Sequence, residues 1–246
     1  MPIQGCKIIE HLTSQIFNFK LLKTLFIAGS DTDAGKTVFT TALAAYLQKY
    51  RPQHSLGIMK PIQSGVGDRQ LYQKLFSLSQ SEAEITPLYF QAPLAPPLAA
   101  AKENRQIDLG VVWQTFTQLQ QSRDFILVEA LGGMGSPVTD EFTVADLAGE
   151  WRLPTVLVVP VRLGAISQAV ANVALAKQSK VELLGIILNC CSQMTPEEIA
   201  DWAPVDTIES FTNIPVLGCL PYLDNPEDLD KLAQIASDLE LEKLFN

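Results

Sequence analysis

The stretch GSDTDAGKT carries the residue types of a phosphate-binding loop. The usual pattern is G-x-x-x-x-G-K-[ST], whereas here five residues separate Gly29 from Gly35. In such a loop, backbone N–H groups at the start of a helix cradle an anion. Lys36 would neutralise phosphate oxygens, and the hydroxyl of Thr37 would bind Mg²⁺. The alternative is a capped helix start with an exposed lysine.

Two further ionisable residues stand at the ends of apolar runs. Lys60 lies in MKPIQSG, and it is either a site residue or a surface lysine before a turn. Glu129 ends the run ILVE, where a carboxylate is costly unless it is paired or binds a metal. Because Mg²⁺ prefers hard oxygens together with water and phosphates, Thr37 and Glu129 predict a magnesium site. The alternative for Glu129 is a buried structural carboxylate.

These motifs fall within an alternation of apolar runs and helix-like segments. Several runs are continuous in Val, Ile and Leu, which is typical of strands buried on both faces. The pattern predicts an α/β fold, a parallel sheet wrapped by helices, with ligands beyond the carboxyl ends of the strands. We predict strands at 24–29, 55–61, 124–130, 154–160, 183–189 and 215–221. We predict helices at 36–50, 68–79, 108–122, 143–151, 165–179, 195–203 and 226–244, and an irregular Pro-rich segment at 87–100.

The chain has 246 residues, of which 47% are hydrophobic, and this suits one large domain or two small ones. Since no repeat or linker interrupts it, we predict a single domain over residues 23–246. Residues 1–22 lack the features of a signal peptide. They are either an N-terminal arm or the result of an over-called start codon.

The net charge of −9 argues against a nucleic-acid partner, because an acidic surface repels phosphate backbones. No apolar run approaches the roughly 20 residues that a membrane span needs, so we expect no membrane partner. The four cysteines form no C-x-x-C motif, which indicates free thiols in the reducing cytoplasm. The chain has only two histidines, His11 and His54, which excludes a His-rich metal site.

Five segments of the chain, GSDTDAGKT, MKPIQSG, LVEALGG, LGAIS and LPYLDNPE, resemble the dethiobiotin synthetase family in order and spacing over residues 23–230. The phosphate loop of that family also has five residues between its glycines. The partitioning ATPases, which are close relatives, carry a second lysine early in the loop, where this chain has Ser30, Asp31 and Thr32.

The resemblance implies a P-loop NTPase-like fold and an ATP-dependent cyclo-ligase that requires Mg²⁺. Its substrates would be 7,8-diaminopelargonic acid, CO₂ and ATP, and its products dethiobiotin, ADP and phosphate. The reaction would pass through a carbamate and a carbamic-phosphoric anhydride. Positioning and charge neutralisation carry such chemistry, with little covalent help from the protein.

The resemblance also implies roles for individual residues. Catalytic positions are Thr32, Lys36 and Lys60. Nucleotide-binding positions are Asp33, Ala34, Gly35, Lys36, Thr37, Val38, Asn189, Pro221, Tyr222, Leu223 and Glu227. Substrate-binding positions are Thr32, Lys60, Ser64, Gly164, Ala165, Ile166 and Ser167. Metal-linked positions are Thr37, Asp68 and Glu129, and the alternative for Asp68 is a helix N-cap, a position that aspartate favours.

In the family, the loop LGAIS belongs to the neighbouring subunit, so the resemblance implies a homodimer with active sites at the interface. This chain departs from the family pattern at several positions. Ala130 and Leu131 replace Gly-Ala of the usual EGAGG, Pro97 replaces a frequent histidine, and Ser167 and Gln168 replace Asn-His. The helix that follows LGAIS can still hold a carboxylate at its N-terminus.

Two other functions compete with this one. The first is a non-catalytic or regulatory nucleotide-binding module of the same fold, and the second is the synthetase domain of an ATP-dependent amidotransferase. A simple nucleotide switch has no need of Lys60 and Ser64 at a strand end. An amidotransferase usually brings a glutaminase domain, for which this chain has no room.

Overall fold

The computed structural model describes residues 23–245, so the predicted N-terminal arm at 1–22 lies outside the described residues. The strands are β1 (Thr24–Gly29), β2 (Leu56–Met59), β3 (Ile62–Ser64), β4 (Leu88–Phe90), β5 (Phe125–Glu129), β6 (Thr155–Pro160), β7 (Leu183–Asn189) and β8 (Val216–Leu220). Six of them form one sheet in the order β2-β5-β1-β6-β7-β8, and every neighbouring pair is parallel. Strands β3 and β4 form a small second sheet, also parallel.

Helices connect the strands of the main sheet and cover both of its faces. In chain order they are α1 (Lys36–Tyr50), α2 (Asp68–Leu75), α3 (Glu82–Ile85), α4 (Pro96–Lys102), α5 (Leu109–Ser122), α6 (Val144–Glu150), α7 (Ala165–Gln178), α8 (Pro196–Trp202), α9 (Val205–Thr212), α10 (Leu229–Ser237) and α11 (Glu242–Phe245). The predicted α/β fold is therefore confirmed. Among the described residues, no helix is long and apolar enough to cross a membrane.

The core has two apolar clusters, one on each face of the main sheet. Strand β1 contributes Phe26 to one cluster and Leu25 and Ile27 to the other. Helix α1 packs Phe39 and Leu43 into the second cluster. Successive side chains of a central strand point to opposite faces of the sheet. Because both faces are covered, all of them are buried, which explains the continuous apolar runs.

The six predicted strands lie where the main sheet has them, but two other predictions were wrong. Segment 87–100 is not irregular, because it contains β4 and the start of α4. A proline occupies the first turn of α4, where its missing N–H costs nothing. The helix predicted at 226–244 is two shorter helices, α10 and α11. Strand β3 and helices α3 and α9 were not predicted.

Candidate active site

The phosphate loop joins the end of β1 to the start of α1, at the carboxyl edge of the sheet. Gly35 has a φ of 98°, in the left-handed region that favours glycine. A Cβ at Gly35 would also collide with the side chain of Asn189. That side chain donates from Nδ2 to the carbonyl of Ala34, at 3.1 Å. The loop conformation therefore depends on a glycine and on the end of β7.

The ammonium group of Lys36 is enclosed by its own loop. Nζ donates to the carbonyl of Asp31 at 3.1 Å and to that of Thr32 at 2.9 Å, and the residue is only 4% exposed. Burial, together with the nearby charge of Lys60, lowers the pKa of Lys36 to about 8. The group is still largely protonated at neutral pH, and an incoming phosphate would favour the charged form further.

The three residues predicted to bind Mg²⁺ converge on one point. Oγ1 of Thr37, at the start of α1, lies 3.0 Å from Oε1 of Glu129 and 3.2 Å from Oδ1 of Asp68. Glu129 ends β5 and pairs in register with Ile27 on β1, which places it beside the strand that enters the phosphate loop. Asp68 is the first residue of α2, one position after the N-cap residue Gly67, so the interpretation of Asp68 as an N-cap is wrong.

Lys60 completes this cluster, and the alternative of a surface lysine is wrong because the residue is 4% exposed. Its Nζ lies 2.6 Å from Oδ2 of Asp68, 2.7 Å from Oε1 of Glu129 and 3.1 Å from the carbonyl of Ala130. Burial alone would lower the pKa of Lys60, but the two carboxylates outweigh it and raise that pKa. Burial likewise opposes the ionisation of Asp68, yet the charge of Lys60 keeps its pKa below the usual value.

The chemistry of this cluster fits a hard divalent cation. Two carboxylates and one hydroxyl offer the oxygen ligands that Mg²⁺ prefers, with water and phosphate supplying the rest. The ammonium of Lys60 lies between the carboxylates of Asp68 and Glu129, which shows that this space suits a positive charge. No group of three or more His, Cys, Asp and Glu side chains within residues 23–245 is placed to hold a metal, so a cation at this site would rely on two carboxylates, one hydroxyl and ligands from phosphate and water.

A fifth residue of the cluster, Tyr72, was not predicted. It is fully buried on α2, and its hydroxyl donates to Oε2 of Glu129. Burial raises the pKa of Tyr72 well above its usual value, and the charges of Glu129 and Asp68 raise it further, so the phenol remains a donor. The sequence places Tyr72 within the predicted helix 68–79 without assigning it a role. Its spacing of four residues from Asp68 puts both residues on one face of that helix, and this was the signal that could have identified it.

Two adjoining clefts open over the phosphate loop and share Thr32, Asp33, Lys36 and Thr37 in their walls. The larger cleft has a volume of about 520 Å³ and also contains Lys60, Ser64, Asp68 and Glu129. The smaller cleft has a volume of about 460 Å³ and includes, from the predicted nucleotide positions, Gly35, Val38, Asn189, Pro221, Tyr222 and Leu223.

Ser64 and Glu227 differ in how they relate to these clefts. The hydroxyl of Ser64 is buried in the larger cleft and has no hydrogen-bond partner among residues 23–245, so it is available to a ligand. Glu227 is outside the described walls of both clefts. Its carboxylate instead forms an ion pair with Lys74 at 2.6 Å. The role of Glu227 in binding the base therefore stays a prediction.

The loop at Gly164–Ser167 begins α7, and within one chain it is outside the described wall of the larger cleft. Gly164 has a φ of 95°, and its carbonyl accepts from Oγ of Ser167 at 2.8 Å. Ala165 is fully buried, and its N–H donates to the carbonyl of Arg162 at 2.9 Å, so it offers no open contact to a ligand in the single chain. Leu163, immediately before the loop, is 87% exposed.

A phosphate-binding loop between a central parallel strand and a helix, with a lysine and an acid–hydroxyl cluster beside it, defines a P-loop nucleotide-binding protein. A family model described as an AAA domain matches residues 23–228. Among solved structures, a ParA family ATPase from Chlorobium tepidum is similar with a TM-score of 0.56 and 15% identity, covering 91% of this chain and 96% of that one. At this identity the likeness shows the fold alone.

Two curated relatives are much closer in sequence, and both are named ATP-dependent dethiobiotin synthetase. One, from Crocosphaera subtropica, is 58% identical over 224 residues, covering 91% of this chain and 100% of that protein. The other, from Gloeothece citriformis, is 56% identical over 224 residues, covering 91% and 99%. The chain therefore belongs to the dethiobiotin synthetase family, and the resemblance seen in its motifs is confirmed.

Proposed function

We propose that this chain is an ATP-dependent cyclo-ligase that converts 7,8-diaminopelargonic acid and CO₂ to dethiobiotin, with release of ADP and phosphate. Family membership supports the proposal, and so does one feature of the site. Buried Lys60 stands next to the phosphate loop and lines the same cleft as Ser64 and Lys36. A nucleotide switch that acts on no second substrate has no use for a second buried cation there.

We assign ATP to the two clefts over the phosphate loop. The backbone of Asp33–Gly35 and the ammonium of Lys36 would hold the phosphates, since helix N-termini and lysine are common partners of phosphate oxygens. The base would lie in the smaller cleft, beside Asn189 and Tyr222. Asn189 offers an amide, and Tyr222 is 43% exposed, so its ring can still be covered by a ligand.

Thr37, Asp68 and Glu129 would hold Mg²⁺, with Lys60 giving up its place between the two carboxylates. When bound, the ion would neutralise phosphate oxygens and hold them in line for transfer. Lys60 would then be free to turn its ammonium toward the substrate. Neither carboxylate would be left unpaired by this exchange, because one cation replaces another.

The chemical steps need charge neutralisation more than covalent catalysis. One amine of the substrate attacks CO₂ and loses a proton, which gives a carbamate. A carbamate oxygen attacks the γ-phosphorus of ATP, and the bond to ADP breaks. The second amine attacks the carbamoyl carbon, phosphate leaves with the oxygen, and loss of a proton completes the cyclic urea. Lys60 and the hydroxyl of Ser64 would position the carbamate, and Lys36 and Thr32 would lie beside the transferred phosphoryl group.

The substrate also has a carboxylate at the end of its apolar chain, and we assign this group to the loop Gly164–Ser167 of a second copy. The loop begins a helix of 14 residues, whose N-terminus favours an anion by about 0.3–1 kcal/mol when exposed. In this proposal the protein is a homodimer, and exposed Leu163 lies at the interface. We also place the protein in the cytoplasm, because the described cysteines Cys190, Cys191 and Cys219 are free thiols.

The proposed activity is tested with purified protein, 7,8-diaminopelargonic acid, ATP, Mg²⁺ and ¹⁴C-bicarbonate. We expect acid-stable ¹⁴C in a product with the mass of dethiobiotin, at one ADP per product, and its loss when a chelator removes Mg²⁺. Lys36→Ala should slow turnover roughly 100- to 1,000-fold, whereas Lys49→Ala, on the exposed end of the same helix, should not. ATP hydrolysis without fixed ¹⁴C would reject the proposal.

A further inference from the structure

The oxygens of Glu129 have different partners. Oε1 accepts from Lys60 and Thr37 and belongs to the group of oxygens assigned to the cation. Oε2 accepts from the hydroxyl of Tyr72. Since Glu129 is 0% exposed, no bulk water can replace a missing donor, and a buried carboxylate oxygen without a donor is costly.

Tyr72 lies on the same helix as Asp68, one turn further along, so both side chains face the cluster. Asp68 contacts Lys60 and Thr37, while Tyr72 contacts Glu129. Helix α2 therefore supplies one carboxylate directly and fixes the other, which comes from β5. One turn of α2, from Asp68 to Tyr72, therefore contributes to the relative position of the carboxylates of Asp68 and Glu129.

The donor to Oε2 is neutral, and this has a consequence for cation binding. A lysine in the same place would cancel the charge of the carboxylate, as Lys60 does at Oε1. A hydroxyl instead fixes the orientation of Glu129 and leaves its negative charge for a cation. The ring of Tyr72 belongs to the apolar cluster around α1, and packing alone would be served as well by phenylalanine. The hydroxyl is therefore the part of this side chain that packing does not explain.

We infer that Tyr72 is a positioning residue for the cation site, because its hydroxyl holds Oε2 of Glu129 and so directs Oε1 toward Thr37 and the cleft. The inference rests on the proposed function in one respect, which is that a divalent cation binds here with the nucleotide. Partners that orient a metal ligand typically contribute about 10- to 100-fold to metal affinity or activity.

The test is Tyr72→Phe, which removes one oxygen and keeps the ring. We expect the dissociation constant for Mn²⁺, measured by electron paramagnetic resonance with ADP present, to rise about 10- to 100-fold. The affinity for ADP in the presence of chelator should not change. Tyr46→Phe, on α1 with its ring against Tyr50, is the matched control and should bind Mn²⁺ as the unaltered chain does.

Several outcomes overturn the inference: unaltered Mn²⁺ affinity in folded Tyr72→Phe, an equal loss of ADP affinity in chelator, or no Mn²⁺ binding by the unaltered chain with ADP. If Tyr72→Phe does not fold, Tyr72→Met provides the same comparison, because methionine adapts to irregular apolar space. A Tyr72-dependent Mn²⁺ affinity in a chain that makes no dethiobiotin would reject the proposed function and leave this inference standing.

Discussion

The ammonium of Lys60 lies 2.7 Å from Oε1 of Glu129, and both side chains are almost completely buried. The pair is not isolated, because Asp68 lies on the other side of the same ammonium at 2.6 Å. One cation therefore holds two carboxylates together at the point where the phosphate loop opens. A metal ion that replaced this ammonium would take over the same two carboxylates as partners.

Replacing Lys60 by methionine should destabilise the protein, because it leaves Asp68 and Glu129 without their common cation. Breaking a buried ion pair from one side costs about 3–5 kcal/mol, and we expect a loss of this size in urea unfolding. Added Mg²⁺ should restore part of the loss in Lys60→Met and do less for the unaltered chain. Equal effects of Mg²⁺ on both proteins would show that the ion does not enter the space left by Lys60.

Lys36 should make stability depend on pH in the alkaline range. Its pKa is about 8 in the folded chain against 10.5 for an ordinary lysine, so between these values the unfolded chain binds more protons. The free energy of unfolding therefore increases as pH rises from about 8 to 10.5. The destabilisation caused by burying the charged ammonium of Lys36 is fully present below pH 8.

From pH 7 to 9.5, the unaltered chain should gain about 2 kcal/mol relative to Lys36→Met. Lys49→Met removes an exposed lysine of the same helix and should show no such gain. The measurement is urea unfolding of all three proteins at each pH. A stability difference between the unaltered chain and Lys36→Met that stays constant over this range would contradict the depressed pKa.

The proposed role of the loop Gly164–Ser167 predicts that a substitution there affects KM for the diamino acid more than KM for ATP. Ser167 is exposed, so Ser167→Trp should leave the fold intact and raise KM for the diamino acid at least tenfold more than KM for ATP. Ser122→Trp places the same ring at an exposed position at the end of α5, on the opposite edge of the sheet, and should change neither constant. An equal rise in both constants for Ser167→Trp would move the substrate tail elsewhere.

Much of this site can be predicted from the sequence, because its residues lie in short motifs whose residue types indicate their chemistry. Gly-Lys-Thr after an apolar strand, and a carboxylate at the end of another, place Lys36, Thr37 and Glu129 at one edge of a parallel sheet. The position of Asp68 beside this group was predicted only from the family resemblance, because α2 follows β3 of the small sheet and not a strand of the main sheet.

What the sequence did not predict depends on packing between distant segments. Lys60 is predicted from the sequence as a catalytic and substrate-binding residue, but its ion pairs with Asp68 and Glu129 are visible only in three dimensions. The contact of Tyr72 with Glu129 joins residues 57 positions apart, and no spacing rule links them. The prolines of segment 87–100 predict an irregular structure, which is wrong because proline suits the first turn of a helix such as α4.

The central claim is that ATP activates a carbamate held in this cleft, and the fate of the CO₂ oxygens tests it most directly. The measurement is mass spectrometry of the phosphate and dethiobiotin formed from ¹⁸O-labelled bicarbonate in unlabelled water, over times short enough to limit exchange. Attack by the carbamate on the γ-phosphorus predicts one ¹⁸O in the phosphate and one in the ureido carbonyl. Phosphate without ¹⁸O would mean that water, and not the carbamate, attacks the γ-phosphorus of ATP, and would contradict the account.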